Sequence, residues 1–317
     1  MTGDGDRGES TSVTERIATR REVLAALGGA SILSSTTSST TDVGGGDVHV
    51  RVYPGTMPTT GWARYRWRGL SSGWAPPYED AIEAVRGAFE QVLVYANGTG
   101  RLEGVDVVVE RGGQVDLSLA SISSPREAVS PTQQQLLDAF RDELRERAVA
   151  SRSTSHLLLW WGPLHYAVGY GGTRRPTRHV DAVEDEGAHV VANVGATETW
   201  DSRAVTRNMA IHEVLHTFLA SPVVDSVIGS RCDHNLGRAV RQDDRTLEVS
   251  PMATAYAGPN EVGGGTRFHG TACYDHDAFY RHDGYAGVDR WRYTTTLSEA
   301  TLEAVTRYLE HRVVGRE

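Results

Sequence analysis

The segment His212-Glu213-Val214-Leu215-His216 sets two imidazoles and a carboxylate at a spacing with chemical meaning. On an α-helix four residues turn roughly 400° and rise about 6 Å, so the histidines stack one turn apart on one face and can reach one metal ion. Glu213 sits beside them, placed to act on a metal-bound water without being a ligand itself. The cofactor this donor set suits is Zn2+.

The residues around the segment give it weight. Met209, Ala210, Ile211, Val214, Leu215, Phe218 and Leu219 leave the two histidines and the glutamate as polar groups in an otherwise apolar helix. Such a helix is buried. Each polar group buried without a partner costs on the order of 2 to 7 kcal/mol, and a shared metal ion is the simplest way to satisfy all three. Asp201 or Ser202 supplies a cap, the helix is expected to run to Ala220, and Ser221-Pro222 is expected to end it, which sets the histidines mid-helix.

Other elements must carry this helix. Residues 47–53 alternate as a strand, with 61–67 as a hairpin partner across a Pro/Gly/Thr loop. Residues 78–95 have helical periodicity through Ala81, Ile82, Val85, Phe89, Val92 and Leu93, and 105–110 read as a strand. A helix over 131–150, opened by Ser130-Pro131, lines up Leu136, Leu137, Phe140, Leu144 and Ala148. The apolar run 156–161 reads as a strand buried on both faces, and 188–194 as the last strand before the histidine helix. Near the C-terminus, 297–313 is amphipathic through Leu302, Val305, Leu309 and Val313. The expected fold class is α+β: a twisted mixed sheet with helices, then a loop-rich part and a C-terminal helix.

This order, ending in a strand and then an HExxH helix, resembles the zincin metallopeptidases, over about 47–317 as architecture and 209–256 as motif. The resemblance implies a sheet under which the active-site helix lies, with substrate peptides pairing along an edge strand; 188–194 is then a neighbour of the cleft. Ser250-Pro251-Met252-Ala253-Thr254-Ala255-Tyr256 resembles the Met-turn of the metzincin branch, where a methionine forms an apolar floor and a tyrosine can reach the site. The interval from helix to turn is longer here than in typical members. The third histidine of HExxHxxGxxH is missing, since Leu219 and Pro222 stand at the glycine and histidine positions.

A tetrahedral zinc needs a third protein ligand and a water. His234 is the favoured one, beside Cys232 and three residues before Gly237, with Asp225 or Asp233 as alternatives. Glu248 and Glu261 lie outside helical stretches and do not suit the glutamate ligand of the gluzincin branch. His269, His276 and His282 read as surface groups or outer partners. The implied activity is a zinc-dependent metalloendopeptidase acting on a peptide or protein substrate, with Glu213 as general base. The alternatives are a non-proteolytic zinc amide hydrolase and a catalytically silent binding protein of the same fold.

Composition bounds the rest. The 317 residues carry 41 acidic and 32 basic side chains, a net charge of −9 that argues against nucleic acid as a partner. Every basic residue other than histidine is arginine, a composition read as adaptation to salt or to genome composition. Thr19-Arg20-Arg21-Glu22-Val23-Leu24 resembles a twin-arginine export signal, with a weakly apolar run over 23–33 too short to span a bilayer as a mature helix. Ser/Thr-rich and Gly-rich stretches follow, so 1–45 is expected to be signal and linker and 46–317 the catalytic domain, extracellular or at the cell surface without stable membrane insertion. The only two cysteines, Cys232 and Cys273, are expected to form a disulfide in an exported chain. Asn97-Gly98-Thr99 is a glycosylation sequon. The sequence leaves the oligomeric state open.

Overall fold

The computed structural model describes residues 48–65, 73–117, 131–151, 154–165, 168–174, 187–259 and 265–313. The export signal and linker expected over 1–45, and Glu261, lie outside the described residues. Five strands form the main sheet: β1 (Val48–Pro54), β2 (Val107–Arg111), β3 (Thr154–Trp160), β4 (Gly171–Arg174) and β5 (Ala188–Asn193), in the order β2-β1-β3-β5-β4. The pairs are parallel except β4 with β5, which is antiparallel. β3 and β5 are buried at every position, as expected of central parallel strands covered on both faces.

Helices cover both faces. Alternation along the strands sends Val50, Leu157, Leu159, Val190 and Ala192 to one side. There they join α2 (Pro76–Gly98), α5 (Arg203–Leu215) and α7 (Glu299–Val313) in the larger core. Tyr53, Leu158, Trp160 and Val191 point to the other side and pack on Leu136, Leu137, Phe140 and Leu144 of α3 (Gln133–Glu146). Thr132 opens α3 with a capping box through Gln135, so Pro131, expected in the first turn, precedes the cap instead. The fold is α+β, as expected in outline, and among the described residues it has seven α-helices, α4 (Val194–Trp200) leading from β5 toward α5, and a second, four-stranded sheet, β8-β6-β7-β9. Those strands are β6 (Arg238–Arg241), β7 (Thr246–Val249), β8 (Arg281–His282) and β9 (Arg290–Tyr293).

Two expectations need correction. The stretch expected as a hairpin strand is α1 (Thr59–Tyr65), where the three-residue interval Trp62 to Tyr65 serves a helix. Tyr65 Oη donates to Glu198 Oε2 at 2.7 Å and an Arg64 amine to the Glu198 carbonyl at 3.0 Å, contacts that decide the local structure from 133 residues away. The histidine helix, capped by Ser202, stops at Leu215 and passes into a 3-10 turn over His216–Phe218. Thr217 Oγ1 donates to the Val214 carbonyl at 2.8 Å and so competes for the acceptor that a further helical turn would use. Ser221-Pro222 then begins a new helix, α6 (Ser221–Ile228), instead of ending one, because a first-turn proline lacks an N–H that would be orphaned anyway. No helix among the described residues is long and apolar enough to cross a membrane.

Candidate metal centre

α5 enters from the residue Ser202 and carries its histidines out at its C-terminal end. His212 is in the last turn, and His216 follows at the cap with φ −53° and ψ −26°, still helical, so the one-turn relation survives the change to 3-10 geometry. Their ring centroids are 4.7 Å apart. The chain then leaves through α6, which Gly229 closes in the left-handed region at φ 67°. A short turn over Asp233–Leu236 brings His234 back, with its ring centroid 5.1 Å from that of His212 and 4.9 Å from that of His216.

Each imidazole has its Nδ1 engaged away from the others. His212 Nδ1 donates to the Pro251 carbonyl at 2.8 Å, His216 Nδ1 to Asp233 Oδ2 at 2.8 Å and His234 Nδ1 to the Cys273 carbonyl at 2.7 Å. These bonds select the tautomer in which Nε2 carries a lone pair. His212 Nε2 and His216 Nε2 stand 3.1 Å apart, and the ligand atoms of all three histidines lie within 4.8 Å of one another. Two lone pairs facing at that distance repel unless a cation lies between them. Tetrahedral zinc, with bonds of about 2.0 to 2.1 Å, sets nitrogen ligands roughly 3.3 Å apart, so the donor set fits one. Burial first, then the neighbouring His216 and His234, hold the His212 imidazole well below its usual pKa, which keeps it a neutral ligand.

The structure thus brings the three histidines expected as ligands into one group that can hold a metal ion. Asp225 is on the exposed side of α6 and outside that group. Asp233 is closer, but its carboxylate faces Nδ1 of His216, and its other oxygen is 3.8 Å from Nδ1 of His234. Both are the sides turned away from the Nε2 atoms. Cys232 and Cys273 also lie beside His234, and they are joined in a disulfide, as expected, which removes their thiolates as ligands.

Glu213 lies on α5 between the histidines and β4 and is 5% exposed. Thr173 Oγ1 is 3.2 Å from Glu213 Oε2 and 3.0 Å from the Glu213 carbonyl. Burial pushes the carboxyl up to about 7, against the opposing pull of His216 and of the Thr173 hydroxyl. A carboxyl so placed accepts and releases a proton near neutrality. Gly171 borders the same carboxylate: a Cβ there would fall 2.4 Å from the Val191 carbonyl oxygen and 2.7 Å from Glu213 Cδ. β4 carries no apolar alternation and its Gly171-Gly172 pair reads as a loop, so sequence reasoning passed over it; the burial of Glu213 against Gly171 is a tertiary fact.

Met252 is fully buried in the same cluster as Ile211, Val214 and Leu215, and its preceding residue supplies the carbonyl on His212. Ala255, at φ 63°, turns the chain in the left-handed region, and the Tyr256 ring that follows packs on His234 with centroids 4.0 Å apart. His276 Nε2 bonds the Tyr256 carbonyl at 2.7 Å and His282 Nε2 the Ala257 carbonyl at 2.8 Å. These two histidines, expected at the surface or as outer partners, hold the backbone beneath Tyr256. His269 bonds the Gly270 carbonyl through Nδ1 at 2.8 Å. Comparison with protein-family models gives no match, and comparison with curated proteins gives none either.

Proposed function

We propose that this chain is a zinc-dependent metallopeptidase of zincin type, exported by its N-terminal segment and acting outside the cell or at its surface on peptide or protein substrates. The observation that carries the reading is the convergence of three Nδ1-anchored histidines beside a buried carboxylate that borders the open edge of a sheet. His212, His216 and His234 would hold the ion, with Asp233 and the Pro251 and Cys273 carbonyls fixing their rings. Zinc, when bound, supplies a Lewis acid that polarises a carbonyl and lowers the pKa of a coordinated water. Glu213 takes the proton from the attacking water, holds it on its carboxyl and hands it to the leaving amine; a group raised to about 7 can do both. Thr173 orients that carboxylate. β4 offers an extended substrate backbone a pairing partner next to Glu213, which favours a peptide over a compact amide.

Metal content and cleavage of a mixed peptide library test the reading, with wild-type protein and Glu213→Gln side by side. The expected result is stoichiometric zinc in both and cleavage by wild type alone, the variant falling by at least about 10² to 10⁴. Cleavage by the variant near the wild-type rate removes Glu213 from the mechanism, and wild-type protein without zinc or without cleavage refutes the assignment.

A further inference from the structure

Among the described residues no strand pairs with the outer side of β4. The parity of its antiparallel pairing fixes which backbone groups look outward. The Asn193 N–H donates to the Tyr170 carbonyl at 2.7 Å, and Tyr170 stands one step before the Gly171–Ala192 pair. Residues 170, 172 and 174 therefore turn their backbone groups toward β5, while Gly171 and Thr173 turn theirs to the open edge. The outward Gly171 carbonyl is nonetheless occupied. Gln133 Nε2 donates to it at 2.5 Å.

Gln133 is the first residue of α3, which packs on the face opposite α5, so its side chain reaches the carbonyl by passing around the edge of the sheet. Its path runs over Gly172. A Cβ at Gly172 would fall 1.7 Å from Gln133 Nε2, 2.2 Å from Cδ and 2.6 Å from Cγ, so the missing side chain at 172 is what makes room. The donor it delivers is an amide N–H, the same chemical group an incoming strand would present.

We propose that Gln133 stands in for a substrate's backbone amide at the edge of β4, so that a peptide gains the Gly171 carbonyl only by displacing it. The inference rests on the peptidase reading and deepens it. Because Gly171 and Thr173 flank Glu213, a strand that displaces Gln133 lies against the general base. Gln133 is exposed and gives up one neutral hydrogen bond, a contact of modest net strength, so displacement is reversible and costs affinity without blocking the site. The consequence is a specificity rule. The substrate residue facing Gly171 must carry a backbone N–H, and proline or an N-methylated residue cannot replace what it removes.

Two variants open the edge by different routes: Gln133→Ala deletes the donor, and Gly172→Ala keeps the glutamine but drives its side chain off the Gly171 carbonyl. Both are assayed against a peptide chosen from those the wild type cleaves, and against a series of that peptide N-methylated at one residue at a time. Binding of the same series to the Glu213→Gln protein, with and without Gln133→Ala, supplies dissociation constants that do not depend on turnover. The expected result is a two- to tenfold fall in KM and Kd for both variants, the range one neutral hydrogen bond spans, with the change on KM and not on kcat. N-methylation at the residue that faces Gly171 should raise Kd in the proteins with and without Gln133 alike, because the bond it deletes is made to the Gly171 carbonyl in both. Unchanged or higher KM in Gln133→Ala overturns the inference while leaving the peptidase reading intact, and so does a series in which no single N-methylation raises Kd, which would make Gln133 a steric obstacle only. Absence of cleavage by the zinc-loaded wild type overturns the peptidase reading and this inference together.

Discussion

Substituting Asp233 and His234 separately distinguishes the third ligand from the group that orients the second. Asp233 Oδ2 lies 2.8 Å from His216 Nδ1, and the carboxylate side chain is only 10% exposed, so Asp233→Ala removes a charge-assisted bond inside a dry site. The His216 ring then loses its orientation and part of its basicity but remains a ligand. Loss of such an outer partner weakens metal binding by roughly 10- to 100-fold, or about 1.4 to 3 kcal/mol. His234→Ala removes an Nε2 donor outright, and its loss should match that of His216→Ala and exceed the hundredfold range of Asp233→Ala. Asp233→Asn keeps an acceptor for His216 Nδ1–H without the charge, and should fall between Asp233→Ala and wild type. Competition with a fluorescent zinc chelator at fixed pH measures wild type and the four variants on one scale. Zinc affinity unaltered by His234→Ala, together with a loss in Asp233→Ala as large as in His216→Ala, would make the carboxylate the ligand and refute the assignment.

Two further outcomes concern the stability of the fold. His156 is fully buried in β3, with Nδ1 3.1 Å from Tyr53 Oη, and burial, then His189 and Arg51, lower its pKa to about 3. The fold thus holds the neutral ring while the unfolded chain takes up a proton near pH 6.5, so this contribution is complete above 6.5 and is lost as pH falls toward about 3. The slope approaches about 1.4 kcal/mol per pH unit, with a ceiling near 5 kcal/mol, and urea denaturation across pH 3 to 7 should show a flatter profile for His156→Gln than for wild type; parallel profiles would refute the origin. Reduction of Cys232–Cys273, which closes a separation of 41 residues, should cost about 4 kcal/mol in the chain-entropy account, read as a fall in the urea midpoint with intact mass rising by about two hydrogens; an unchanged mass would mean free thiols.

What the sequence made legible depended on how local the cause was. The helices over Pro76–Gly98 and Gln133–Glu146 and the strands Val48–Pro54 and Thr154–Trp160 carry their own periodicity and were found with small shifts at the ends. His212, Glu213 and His216 are one turn of one helix, and their meeting follows from helical geometry alone. His234 was reachable only because a lone cysteine pair implied an anchor beside it. β4 was not, since four residues with two glycines have no pattern of their own and owe their strand to pairing with β5 and to the space Glu213 needs. Tyr65 overrode local expectation in the same manner, through Glu198, whereas Thr217 did so locally, through the Val214 carbonyl three residues before it. The short strands of the second sheet are two to four residues each, too brief for alternation to register.

The long interval between α5 and the turn around Met252 acquires a physical reason from the three Nδ1 partners. They come from Asp233, Pro251 and Cys273, segments spread over 40 residues, and each orients a different ring. Each ligating imidazole needs an acceptor for its other ring N–H. Here the third ring arrives from beyond α6, so its orientation must be fixed by the part of the chain that follows. The disulfide holds Cys273 against the turn that carries His234, and Tyr256 packs on that ring. His276 and His282 in turn hold the backbone of residues 256 and 257. The loop-rich C-terminal part, with its small sheet, is on this account the scaffold of the third ligand, and its histidines support the site through carbonyls without entering it.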